Sequence, residues 1–322
     1  MPANFEAGFF TKTPAWHGLG VVIPEPLLSE EAIMVAGLDW EVDKCPIHVP
    51  TPSGDVAHPQ EWVATVRSDN NRVLGVVGTG YKVVQNVDAF TFMDEVAGPG
   101  KLVRYETAGS LAYGRKVWML ATILDLQIEP VPGDVVKPYL LLANGHDGKL
   151  ELSVCWTSVR VVCQNTLMLA LRQSREKFSL RHTGDIYSKK DQAREVLGMS
   201  QKVVQEYEQI TKQLAYKQMG DKAIEAFLKD LVPDPQGRSA TRAENVRDML
   251  TELIEAGPGS DIPGVRGTAW GVLNAVTAYT NHHRTVRSGT KGDSAAQEKK
   301  LESLWWGSAN QMNQRAVDLL LA

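Results

Sequence analysis

Few residues in this chain have the types and spacing to do chemistry, and most of those fail on closer reading. Cys45-Pro46-Ile47-His48 has the separation of a metal-ligand pair, but a tetrahedral zinc site needs a second pair and none is evident. The remaining histidines are scattered, apart from His282-His283 in a helical stretch, where neighbours point in different directions. Gly75-Val76-Val77-Gly78-Thr79-Gly80 lacks the third glycine of a dinucleotide fingerprint and continues as strand, so a bulge or bend is expected there. No Gly-Lys-Ser/Thr follows a glycine-rich loop, which disfavours ATP hydrolysis, and no Gly-x-Ser-x-Gly elbow presents a nucleophile. Glu30-Glu31 and Asp94-Glu95 read as helix-end and surface charges, Cys155 and Cys163 as core thiols. The expectation is a protein that is not an enzyme and that uses neither cofactor nor metal.

Polyanion binding fits the residues better. The net charge of −4 hides an asymmetry: residues 1–156 carry 11 Lys/Arg against 19 Asp/Glu, and residues 157–322 carry 23 against 19. Within 157–190, Arg160, Arg172, Arg175, Lys177, Arg181, Lys189 and Lys190 meet only Glu176 and Asp185. Lys82, Arg104-Tyr105, Tyr113, Arg115-Lys116 and Trp118 interleave cations with aromatics along expected strands. Lys and Arg neutralise phosphates without reading sequence, and aromatic faces stack on any unpaired base. The candidate nucleic-acid-binding residues are therefore Lys82, Arg104, Arg115, Lys116, Arg160, Arg172, Arg175, Lys177 and Arg181. A solvated face for the basic run, and half-buried sheet positions for Tyr105 and Trp118, account for the same residues without a ligand. Arg160 could equally be buried against a carboxylate.

The elements that must position these residues fall into two halves. Residues 1–28 read as an extended arm pinned through Phe5, Phe9, Phe10, Trp16 and Leu19, with Trp16 and His17 structural. Ser29 is expected to cap a short helix ending near Gly37. Trp40–Val49, Trp62–Arg67 and Arg72–Val77 are expected strands, the last two joined by a turn at Ser68-Asp69-Asn70-Asn71, with Tyr81–Val84 extended after the glycines. Asn86 caps a helix that Gly98-Pro99-Gly100 ends. Leu102–Tyr105, Lys116–Ile123, Tyr139–Ala143 and Leu150–Trp156 are further strands, the last two around the turn-rich Asn144–Gly148. From Thr166 the pattern turns helical: a short helix over Thr166–Arg175 capped by Asn165, an irregular basic link, then helices over Ser188–Met219, Asp221–Leu231, Ala240–Glu255, Thr268–Arg287 and Ser294–Leu321. Consecutive strands without intervening helices imply antiparallel pairing and an α+β fold, with an arm at 1–28, a β-rich domain at 29–163 and a helical domain at 164–322.

With 43% hydrophobic and 22% charged residues, the chain can bury a core and is not disordered. No apolar run approaches the roughly 20 residues of a membrane span. With no leader-like start and three cysteines that cannot all pair, a cytoplasmic protein with no membrane partner is expected.

Several strings carry a resemblance. They are Trp16-His17-Gly18-Leu19-Gly20, Gly78-Thr79-Gly80-Tyr81 with Gln85-Asn86 and Ala89-Phe90, Ser158 through Val161-Val162-Cys163-Gln164-Asn165-Thr166-Leu167, Arg181-His182-Thr183, and Trp270-Gly271-Val272-Leu273-Asn274-Ala275-Val276-Thr277-Ala278-Tyr279 with His282. In this order they resemble a family of phage- and plasmid-borne proteins known only as a domain of unknown function. The helix, three strands and helix of residues 29–97 are similar to the core of single-strand annealing proteins of the Rad, Erf and RecT types. That second resemblance implies rings or filaments that hold single-stranded DNA in a basic groove and pair it without ATP or metal. It is a likeness of topology alone. Two classes of function follow: an annealing-type recombination protein that binds single-stranded DNA, with RNA left open, as a homo-oligomer; or a non-enzymatic phage assembly or host-interaction protein.

Overall fold

The computed structural model describes residues 7–11, 20–97, 103–122, 127–160, 165–168, 177–184, 186–189, 191, 193, 200–234, 240–285, 299–300, 303–305 and 307–322. Gly8–Thr11 (β1) and Val21–Ile23 (β2) precede the short helix Ser29–Val35 (α1). Val42–Pro46 (β3), the small hairpin Val49–Pro50 (β4) and Val56–Ala57 (β5), Trp62–Arg67 (β6) and Val73–Gly78 (β7) lead to Asn86–Ala97 (α2). Six strands follow: Arg104–Leu111 (β8), Lys116–Thr122 (β9), Val136–Gly145 (β10), Leu152–Arg160 (β11), Asn165–Met168 (β12) and Lys177–Leu180 (β13). The helices Ser200–Tyr216 (α3), Asp221–Leu231 (α4), Ala240–Ala256 (α5), Ala269–Ala278 (α6) and Ser308–Leu321 (α7) come last. The fold is α+β, strands first and helices after.

The main sheet has the order β12-β11-β10-β9-β8-β1-β2, with β13 beside the first half of β11 and β12 beside its second half. Its strands pair antiparallel except β1 with β2. Both faces are buried, which is why β9 and β10 are continuous apolar runs. Val117, Met119, Ala121, Leu140 and Leu142 join the larger core with Phe90, Phe92 and Trp270. Trp118, Leu120, Tyr139 and Leu141 belong to a second core with Leu304, Trp305 and Ala309, where the Trp118 and Trp305 rings lie 4.9 Å apart. Phe9 is fully buried, and the described part of the arm contributes two neighbouring strands, β1 and β2, to the main sheet. Phe5, Trp16, His17 and Leu19 lie outside the described residues.

The smaller sheet, β3-β6-β7, packs against the end of the main one. The Ser68–Asn71 turn is present, with Asn71 in the left-handed region; the bulge of β7 lies at Leu74, just before the glycine-containing segment where one is expected, since Val66 pairs with Val73 while Thr65 pairs with Gly75 and Gly75–Gly78 continue in regular register. Trp270 ties the helices to the sheet loops by donating its Nε1–H to the buried Asp134 carboxylate at 2.7 Å. The Trp270-Gly271 pair has a packing reason as well: a Cβ on Gly271 would sit 2.4 Å from the Val265 carbonyl oxygen.

Four local expectations are corrected. Asn165 does not cap a helix: Asn165–Met168 pairs with β11 as a strand, Asn165 opposite Arg160. Local cap propensity lost to the unpaired edge of β11, whose backbone groups need partners. The basic link contains strand β13, so strands continue to Leu180 rather than stopping near 164. The long helix expected over 188–219 opens with a 3₁₀ turn at Tyr187–Lys189 and stops at Tyr216; among the described residues Asp191, Ala193 and Ser200–Tyr216 are helical, and Gln218 then bridges to Thr268. Leu28, not Ser29, takes the cap position of α1, and the Ser29 side chain hydrogen-bonds Asp94 of α2 instead.

Candidate nucleic-acid interface and the histidine network behind it

One end of the main sheet gathers the β8–β9 turn, the β10–β11 loop, the β6–β7 hairpin and the chain leading into α2. Lys82 and Arg115 are exposed there, and Lys116 opens β9 half-buried. The Lys82 backbone pairs with His182: its N–H donates to the His182 carbonyl at 2.6 Å, and His182 Nδ1–H donates back to the Lys82 carbonyl at 3.1 Å. Arg181 is 85% exposed and forms an ion pair with Glu151 at 3.2 Å. Arg72, also exposed, lies 4.2 Å over the Tyr113 ring, a cation–π contact on the rim. Ala112, Tyr113 and Gly114 all have left-handed backbones, which costs strain at the first two. Glycine at 114 leaves room for the Arg67 guanidinium, 3.0 Å from where a Cβ would be.

The other candidates are distributed differently. Arg104 stands at the opposite end of β8, roughly 24 Å along the strand from Leu111, and Arg160 ends β11 at that same far end. Lys177 begins β13 opposite Cys155; the side chains of Lys177 and Arg160 lie outside the described residues, as do Arg172 and Arg175 altogether. The structure thus brings together Lys82, Arg115, Lys116 and Arg181, and sets Arg104 and Arg160 apart from them. Arg72 belongs to the cluster although charge reading along the chain passed over it, because a single arginine in a hairpin turn gives no local signal.

Behind this rim lies a buried polar network. Asn86, 1% exposed, donates from Nδ2 to the Leu38 and Trp40 carbonyls at 3.0 and 3.3 Å. Its Oδ1 is then the acceptor for His146 Nε2 at 3.0 Å, which fixes the Nε2–H tautomer of a fully buried histidine. Thr65 donates to the His146 carbonyl at 2.7 Å, Tyr81 donates its hydroxyl to the Gly145 carbonyl at 2.7 Å, and Asn144 donates to Val84 at 3.0 Å. Burial, then the charges of His182 and Arg67, lowers the His146 pKa to about 3. His182 stacks on Tyr81 at 4.7 Å and is also lowered, by burial above all. Burial, with Asp147, raises the Tyr81 hydroxyl. Arg67 is buried, holds Asp69 through two nitrogens at 2.6 and 3.0 Å, and covers Trp40 at 4.2 Å.

This network is a joint between the two sheets. Gln85 extends it: its side-chain amide exchanges two 2.9 Å hydrogen bonds with the Val42 backbone, closing the edge of β3 as a strand would. The physical sense of Gly78–Tyr81, Gln85-Asn86 and Arg181-His182-Thr183 is therefore to lock the rim's backbone in place. Among the described residues no three His, Cys, Asp or Glu side chains converge to hold a metal, and the Cys45–His48 segment instead leads to an edge-to-face pair of His48 and His58, 4.6 Å apart. No helix among those residues is long and apolar enough to cross a membrane. No curated protein and no solved structure matches the chain. Residues 73–305 match the domain of unknown function DUF932, and the chain belongs to that family.

Proposed function

We propose that this protein is a phage- or plasmid-borne, annealing-type protein that binds single-stranded DNA, or RNA, through the loop-rich end of its main sheet, without ATP or metal. The observation that carries this reading is the convergence of exposed Lys82 and Arg115, Lys116, Arg181 and the Arg72–Tyr113 pair on one rim. Cations there neutralise phosphates, and the Tyr113 ring and its arginine offer stacking that does not depend on base identity. The order α1, β3, β6, β7, α2, with the β4–β5 hairpin inserted, is the order on which the likeness to annealing proteins rests. Exposed Val21 and Val22 on edge strand β2 supply an apolar edge for assembly into a ring or filament.

The test is oligonucleotide binding at two or more salt concentrations, with the parent and the double variant Lys82→Ala, Arg115→Ala. The variant should bind about tenfold more weakly, and its salt slope should fall by about 1.4, or ~0.7 for each lost phosphate contact on a single strand. Light scattering on the same samples should give a mass above that of a monomer. A folded variant with unchanged affinity and slope would sink the interface, and a monomer with and without DNA would sink the assembly. The second reading, a protein-contact role in phage assembly or at a host target, draws on Trp62 and Val76, each about half exposed on the small sheet.

A further inference from the structure

A cleft of about 570 Å³ opens in the helical half, away from every residue assigned to the rim. Its walls are the C-terminal end of α4, α5, the π-helical turn Tyr279–His283 with Arg284 after it, and the first turns of α7. Three arginines line it, Arg242, Arg284 and Arg315, and no Asp or Glu does so among the described residues. An uncompensated group of guanidiniums in a concavity is an anion site in waiting, because arginine cannot shed its charge.

Arg284 makes the case specific. Its Nη2 donates to Ser308 Oγ at 2.9 Å, which orients the planar group, while its Nη1 is buried with no acceptor among the described residues. A buried N–H on a cation without an acceptor is a costly arrangement unless something fills it. Arg315 Nη2 is oriented in turn by the Asp230 carbonyl at 2.5 Å. Arg242 is exposed and has no hydrogen bond among the described residues. Burial raises the Tyr279 hydroxyl and the charges of Arg284 and Arg242 oppose it, so both guanidiniums act on the same space. The π-helical turn that presents Tyr279 is a backbone irregularity of a kind frequent at functional sites.

The rest of the lining is mixed: Met249 and Met312 stand with the half-buried Tyr279 ring, and Asn245, Gln311, Thr285 and His283 add polar groups. The volume is that of a small-ligand pocket. We propose that this cleft binds a small organic phosphate with a flat aromatic body and polar edges, of the kind a nucleoside monophosphate has: the arginine forks take the phosphate oxygens, the tyrosine and methionines take the face of the base, and Asn245 and Gln311 offer hydrogen bonds to the sugar or the base edge.

Calorimetry on the full chain tests this with AMP and TMP, against adenosine, inorganic phosphate and citrate. One nucleotide per chain should bind, with adenosine and inorganic phosphate each about tenfold weaker or more, since each lacks one half of the contacts. Arg284→Gln should weaken AMP about tenfold by removing a charge-assisted bond. Arg242→Gln, at an exposed position without a partner, should weaken it severalfold while leaving the melting temperature unchanged, which guards against a folding defect in the first variant. Absence of AMP binding at millimolar concentration, or the same affinity in both variants, would overturn the proposal. So would tighter binding of citrate, which would make the ligand a polycarboxylate, or displacement of AMP by an oligonucleotide, which would make the cleft part of a strand path. A loss of AMP binding in the Lys82→Ala, Arg115→Ala variant would place the site at the rim and overturn it equally.

Discussion

Acid should loosen this protein through His146. The ring is fully buried, Nε2–H is committed to Asn86, and Nδ1 has no hydrogen-bond partner among the described residues. A proton on Nδ1 would therefore be a buried charge without an acceptor, near Arg67, and burial leads the causes that bring the pKa from 6.5 to about 3. The unfolded chain takes up this proton near pH 6.5 and the folded one does not until about pH 3. Stability is thus complete above pH 6.5 and falls as the pH drops toward 3, by about 1.4 kcal/mol per unit. Between pH 7 and pH 5 the loss from this one group is about 2 kcal/mol, a large share of the ~5–15 kcal/mol of a typical fold. His182, also lowered, adds to the loss with the same sign. Urea denaturation at pH 8, 7, 6 and 5 should be run on the parent and on His146→Gln, whose amide can still donate to Asn86 but does not titrate. The parent should lose about 2 kcal/mol more than the variant between pH 7 and 5. Parallel stability curves for the two proteins would refute the argument, whatever their absolute values.

Two further substitutions probe the joint between the sheets. Gln85→Ala removes both hydrogen bonds that close the β3 edge and should cost about 1–2 kcal/mol, with faster amide exchange at Val42; unchanged exchange there would show that Gln85 does not seal the edge. Gly75→Ala puts a Cβ 2.6 Å from the Asp147 Cα, backbone against backbone, and should cost about 1–3 kcal/mol in denaturation; an unshifted midpoint would mean that the hairpin and the β10–β11 loop separate freely.

Much of the frame is written locally. Asp221–Leu231 is a helix over the residues expected, and Trp62–Arg67 is a strand over the residues expected, because hydrophobic period, turn residues and breakers agree there with the tertiary environment. Thr268 caps α6 through its side chain, which accepts from the Gly271 N–H, a signal carried within four residues. The Asn165 cap failed for the complementary reason. A cap is judged from a few neighbours, whereas β11 needed a partner along its edge, and only the assembled sheet reveals that need.

The same division runs through the candidate site. Residue types alone nominated Lys82, Arg115, Lys116 and Arg181, and equally nominated Arg104 and Arg160, since charge along a chain does not say which end of a strand a residue occupies. The antiparallel register decides that: it turns the chain back at residues 112–115 and 145–151 and leaves Arg104 and Arg160 at the far end. His146 looked like one more scattered histidine in a turn. Its role depends on Asn86, 60 residues away in sequence, and on a burial that no window of the chain contains. The arginine cleft is more extreme, since Arg242 and Arg315 lie on two different helices and Arg284 just past a π-helical turn, far apart in sequence. Sequence by itself determined most of the element types outside residues 165–180, the two-part order and the lack of a nucleotide or nucleophile motif, because those depend on periodicity and spacing. Which charges share a surface, and which polar atoms are cut off from water, depends on contacts between distant segments, and only the tertiary structure decided it.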